Sequence, residues 1–112
     1  MSLYEYKATV IRVIDGDTAD FSTDLGFDIF HSLRVRFSGI NAPEKNTVPG
    51  MAAKKWLEDR LPVGTEVVLK TEKDRTEKFG RYLATVVLSD FTNVNEELIK
   101  TGNAVEYHGG KR

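Results

Sequence analysis

The 112-residue chain has no cysteine, only three prolines and a single tryptophan. Without thiols there is no disulfide scaffold, no thiolate metal site and no cysteine nucleophile, so stability has to come from apolar burial. No apolar run approaches the roughly 20 residues needed to cross a bilayer. The opening Met1-Ser2-Leu3-Tyr4-Glu5 has neither a basic nor an apolar leader segment. The expectation is a soluble chain without a membrane partner, cytoplasmic unless a leader was trimmed from it. No repeat, low-complexity tract or linker interrupts the sequence, and the length suits one domain over residues 1–112.

An excess of basic charge is missing too. Sixteen Lys and Arg face 17 Asp and Glu, a net charge of -1. This excludes a protein that holds nucleic acid through bulk positive charge, because that mode needs many phosphate neutralisations. The sum conceals a segregation. Asp15, Asp17, Asp20, Asp24 and Asp28 fall between Val13 and Phe30 with no Lys or Arg among them, and the flanking residues carry a small positive balance.

The first half of the chain alternates in the manner of strands. Tyr4 to Ile14 is rich in β-branched and aromatic residues and stops at Asp15-Gly16-Asp17, which reads as strand, turn, strand. The second strand covers about Thr18 to Ser22. A third apolar run extends from Ile29 to Ile40, where Asn41-Ala42-Pro43-Glu44 ends it, since proline lacks an amide hydrogen and restricts the residue before it. Within that region Phe27, Ile29, Phe30 and His31 form a segment whose pairing the pattern leaves open. From Pro49 to Leu61 the period becomes helical, with Ala53, Trp56, Leu57 and Leu61 on one stripe, Trp56 as its core anchor, and Pro62 and Gly64 closing it.

Glu66–Lys70 and Arg81–Leu88 read as a fourth and a fifth strand joined by a charged link. A short helix follows, with Asn93 as N-cap, Glu96 three residues on, Val94 and Leu98 on one face, and Gly102 suited to the left-handed end. Three strands, a helix, two strands and a trailing helix fit a mainly β (α+β) protein. The expected architecture is a five-stranded Greek-key OB barrel, with one helix between strands 3 and 4 and a short one after strand 5. An SH3-like barrel is the rival, but it rarely places a three-turn helix at that point. OB barrels commonly bind oligonucleotides, a hint of partner that carries no chemistry.

Three clusters could carry chemistry: Asp15-Gly16-Asp17-Thr18, Arg36 through Asn41-Ala42-Pro43-Glu44, and Arg75-Thr76-Glu77-Lys78-Phe79-Gly80-Arg81. Singly each has an ordinary reading, as a hairpin turn, a strand terminator and a strand start. Together they supply carboxylate and amide oxygens for a hard cation, a spare carboxylate, and two arginines able to grip phosphate bidentately.

These clusters, followed by Val94-Asn95-Glu96-Glu97-Leu98 and Gly102, resemble the staphylococcal nuclease (thermonuclease) family in the family's own order over nearly the whole chain. The resemblance implies a calcium-dependent OB-fold phosphodiesterase acting on DNA and RNA and leaving 3'-phosphate ends. It implies Asp17 and Asn41 as metal ligands, the Ala42 carbonyl as a further one, and Asp15 acting through water. Glu44 matches the general base, and Arg36 and Arg81 match the phosphate-binding arginines. Lys78 and Phe79 fall where substrate phosphate is met, and Tyr107 or His108 could stack a nucleobase. One calcium ion, a nucleic acid substrate with single strands preferred, and a monomeric state are the resulting expectations.

Three departures qualify the match. Asn41 stands where an aspartate is usual, so one ligand charge is lost and a weaker calcium site is expected. Phe79 stands for a tyrosine and lacks its hydroxyl. The chain is longer than usual between Asp17 and Arg36. The alternative is a catalytically weakened OB-fold module that binds nucleic acid or protein; a structural barrel of a larger assembly is a third reading.

Overall fold

A computed structural model describes residues 4–76 and 82–107, the side chains of 72–76 excepted. The alternating N-terminal half folds as an antiparallel meander of β1 (Tyr4–Asp15), β2 (Thr18–Asp24) and β3 (Phe30–Phe37). β1 faces β2 from Ala8 opposite Thr23 to Asp15 opposite Thr18, and β2 faces β3 from Thr18 opposite Arg36 to Asp24 opposite Phe30. Register shifts between Val10 and Arg12 and between Val13 and Asp15 bend β1. Such bulges add twist, and here the first half of β1 pairs with one neighbour and the second half with another.

The other neighbour is β5 (Glu66–Thr76), which meets β1 from Tyr4 opposite Thr71 to Thr9 opposite Glu66. β6 (Tyr82–Leu88) pairs antiparallel with β5 and parallel with β3, Val35 opposite Tyr82. The ring β1-β2-β3-β6-β5 is thereby closed, as the sequence predicts for a five-stranded barrel. Phe21, Phe37, Val35, Leu69 and Val86 fill its interior at 1% exposure or less.

Helix α1 (Val48–Arg60) packs on β1, and helix α2 (Val94–Lys100) packs on β6. Thr47 caps α1, its hydroxyl accepting from Gly50 N–H at 3.1 Å, and Asn93 caps α2 by accepting from Glu96 N–H at 3.0 Å. Asn95 is buried, accepts from Val86 N–H at 3.0 Å and donates to the Ser38 and Ala84 carbonyls at 2.8 and 3.2 Å. It ties α2 to the barrel at the end of β3.

Several boundaries differ from the sequence reading. The third strand ends at Phe37, and after Gly39, whose φ is +78°, the chain resumes as β4 (Ile40–Asn41). β4 pairs with β7 (Val105–Glu106) in a small second sheet, too short to leave a period in the sequence. Trp56 is not the anchor of α1; Gly50, Ala53 and Leu57 are buried there, and Trp56 only packs partly against the core's edge. β5 runs six residues past Lys70, and β6 is first described at Tyr82, Arg81 lying outside the described residues.

Candidate active site

The turn between β1 and β2 lies flat against two other elements. A Cβ placed on Gly16 would come within 2.8 Å of both Ala42 Cβ and Ala53 Cβ, so only glycine permits this approach of the turn to Ala42, just after β4, and to α1. The flanking aspartates then use the turn's polar groups. Asp15 Oδ1 accepts from Asp17 N–H at 3.1 Å. Asp17 Oδ1 accepts from the Thr18 hydroxyl at 3.0 Å, and its Oδ2 accepts from Ala42 N–H at 2.9 Å.

The two carboxyls perturb each other in opposite directions. Burial, then a hydrogen bond and the like charge of Asp17, push the Asp15 carboxyl up to about 6. Burial also opposes the ionisation of Asp17, but hydrogen bonds from Asp15 and Ala42 and the Arg36 charge outweigh it and hold its carboxyl below the usual range. Two carboxyls packed this closely would be relieved of their mutual repulsion by a nearby cation.

Arg36 sits beside this pair because β3 places it opposite Thr18. Its side chain is 12% exposed. Nη1 donates to the Phe37 and Ile40 carbonyls at 3.0 and 2.9 Å and stands 3.6 Å from Asp17 Oδ2, while Nη2 donates to Asn41 Oδ1 at 3.1 Å. Among the described residues nothing accepts from Nε, so that edge of the guanidinium remains for a ligand. The Tyr107 ring covers the group, its centroid 5.9 Å from Cζ, and Tyr107 N–H donates to Gly39 O at 2.8 Å. The β4–β7 pairing brings Tyr107 there.

Glu44 lies one step further along the chain, exposed at the rim of an open depression formed by Asn41, Ala42, Pro43, Asn103 and Val105. Its carboxylate makes no hydrogen bond or ion pair with another described residue. Its main chain is fixed instead: the Glu44 carbonyl accepts from Thr47 N–H at 3.1 Å and from the Thr47 hydroxyl at 2.6 Å.

The fold therefore gathers Asp15, Asp17, Arg36, Asn41, Ala42 and Tyr107 around one corner of the barrel, with Glu44 beside them. Arg81, Lys78, Phe79 and His108 lie outside the described residues. Motif reading missed the two carbonyls that clamp Arg36 and the contact of Gly16 with α1. The first has no sequence signal; the second hides in a glycine that a turn already explains.

Motif order and barrel topology meet in one comparison: the sequence profile of the staphylococcal nuclease homologue family matches residues 34–112. The chain belongs to this family. The matched segment contains Arg36, Asn41, Ala42 and Glu44, while the aspartates of the first turn precede it. Among curated relatives, the chain is similar to Endonuclease YhcR of Bacillus subtilis (strain 168), 30% identical over 114 residues that cover 92% of this chain and 9% of that protein. It is similar to Protein ParB of Escherichia coli, 36% identical over 115 residues, 94% of this chain and 60% of that protein. It is also similar to Micrococcal nuclease of Shigella flexneri, 31% identical over 111 residues, 92% of this chain and 59% of that protein. The staphylococcal nuclease-like chain thus spans less than two thirds of the length of these relatives.

Proposed function

We propose that the chain is a nuclease domain that hydrolyses phosphodiester bonds of DNA and RNA, preferring single strands, with Glu44 as general base and Arg36 and Arg81 on the phosphate. The observation that carries this reading is the pairing of an exposed, unengaged carboxylate with a guanidinium clamped by protein acceptors on all but its Nε edge. Hydrolysis needs a water deprotonated as it attacks phosphorus and fixed positive charge where the equatorial oxygens gain electron density. Glu44, open to solvent, takes the proton. Arg36, held by Phe37 O, Ile40 O and Asn41 Oδ1, meets the phosphate without reorganising.

The donor set suits a hard cation. As ligands Asp15, Asp17 and Asn41 offer only oxygens, and the raised Asp15 carboxyl reflects burial beside a second acid. Among the described residues no three of His, Asp or Glu converge, so Asn41 and the Ala42 carbonyl would complete a site of low charge and modest affinity. Calcium bound there would supply positive charge to a phosphate oxygen. Asp17 and Asn41 would hold it, and Asp15 would act through water. Tyr107, whose ring lies over Arg36, would receive a base, with His108, Lys78 and Phe79 as further substrate contacts implied by the family pattern.

The test is cleavage of single-stranded DNA and of RNA with calcium, with chelator, and by Glu44→Ala. Cleavage is expected only with calcium, and Glu44→Ala is expected to lower the rate by about 10² to 10⁴. Full activity in chelator or in Glu44→Ala overturns the mechanism. Metal-dependent binding without cleavage would instead establish the catalytically weakened module, a reading that the neutral Asn41 ligand favours.

A further inference from the structure

Helix α1 presents Gly50 and Ala53, three residues apart, on its buried face, and each touches one acidic motif. Ala53 receives the Asp15-Gly16-Asp17 turn. Gly50 backs onto the peptide after Glu44: a Cβ built there would overlap the Glu44 carbonyl and come within 2.9 Å of Lys45 Cα. Gly50 lies inside a helix and not among the glycines with positive φ, so its backbone does not require glycine, and glycine there weakens the helix. The space against Glu44 is what excludes a side chain.

Thr47 acts on the same carbonyl. Its N–H and its hydroxyl both donate to Glu44 O, and the hydroxyl oxygen in turn accepts from Gly50 N–H. Only Lys45 and Asn46 separate Glu44 from this cap. The Glu44 peptide is therefore held from both sides, by the cap of α1 and by its first buried turn, while the exposed carboxylate itself has no protein partner among the described residues.

We propose that Gly50 and Thr47 are positioning residues for Glu44. They set the height of its peptide over α1, and the same helix face, through Ala53 and Gly16, sets the aspartate turn. The spacing between base and aspartates is thus fixed by one rigid helix. This rests on Glu44 being the base, and the test separates the two ideas.

Gly50→Ala, Thr47→Val and Thr47→Ser are compared in the wild-type and Glu44→Ala backgrounds, on single-stranded DNA with calcium. Gly50→Ala is expected to lower kcat by about 10²-fold, as misplacement of a reacting group by about 1 Å does, with KM changed less than about threefold. Thr47→Val is expected to lower kcat and Thr47→Ser to retain it. In the Glu44→Ala background both losses should shrink to less than about twofold, because the positioned group is gone. An equal loss in that background, a loss carried by KM, or an unchanged kcat in Gly50→Ala overturns the positioning role even if Glu44→Ala is inactive. A Glu44→Ala variant as active as wild type overturns the base assignment itself.

A structural readout stands apart from activity. In Gly50→Ala, or in Thr47→Val should the former fail to fold, backbone amide signals of residues 44–47 are expected to move while those of residues 15–18 stay. Unmoved signals at 44–47 overturn the inference.

Discussion

Asp20 shows how a single buried acid is held outside the site. Arg34 donates from Nε to Oδ1 at 2.8 Å and from Nη2 to Oδ2 at 3.2 Å, and Arg12 Nη2 reaches Oδ2 at 2.8 Å. The Arg34 hydrogen bonds, with the charges of both arginines, hold the Asp20 carboxyl below its ordinary value despite burial. A lowered carboxyl contributes stability that is fully present above its unfolded value, about 3.9, and disappears as pH falls through the folded one. Both arginines are about half exposed, so solvent screening limits the contribution to about 1 kcal/mol. Asp20→Asn should therefore unfold at lower urea than wild type at pH 7, with the two curves converging at a pH below the ordinary carboxylate range. A gap that persists unchanged at that pH would assign the loss to packing. At this scale the sequence was half legible: the types and order of Asp15, Asp17, Arg36, Asn41 and Glu44 were readable, whereas Asn41 facing Arg36 is a matter of side-chain direction that spacing does not encode.

Among elements, the β2–β3 hairpin shows the limits of pattern reading. Phe21 and Phe27 are six positions apart, yet Phe21 is fully buried and Phe27 is 97% exposed. The cause is backbone: Phe27 and Asp28 take φ of +56° and +61°, in a loop closed by Leu25 N–H to Ile29 O and Ile29 N–H to Gly26 O. Two successive non-glycine residues in the left-handed region break the two-residue alternation, so an apolar run that looks like strand becomes a projecting tip. Phe21→Ala should cost about 3–5 kcal/mol in urea unfolding through a core cavity. Phe27→Ala should stay within about 0.5 kcal/mol, and a loss above about 2 kcal/mol there would mean that the tip is covered. Longer elements were easier to read, because α1, β1 and the end of β6 bury regular faces, while β4 and β7 together are only four residues long and owe their existence to a contact across the chain.

Over the whole molecule, the near-zero charge sum and the proposed substrate need reconciling. At one corner the barrel brings acid and arginine together rather than averaging them: Asp17 and Arg36 are 3.6 Å apart. On the proposed reading, Asp15 and Asp17 would repel a polyanion without a cation and would help to hold phosphate with one. Substrate binding itself should then depend on metal. An oligonucleotide of single-stranded DNA, bound by the Glu44→Ala variant so that no cleavage intervenes, is expected to show affinity with calcium and little with chelator. Its salt dependence should be shallow: with two or three phosphates neutralised, the slope of log K against log salt is about -1.5 to -2. A slope near -5, or equal affinity in chelator, would mean an extended basic surface carries the binding, and the metal-centred reading would fail. The distinction is sharp because the alternatives scale differently: a clamp gains with every lysine along the strand, whereas a site built from one cation and two guanidiniums saturates at the two or three phosphates within its reach.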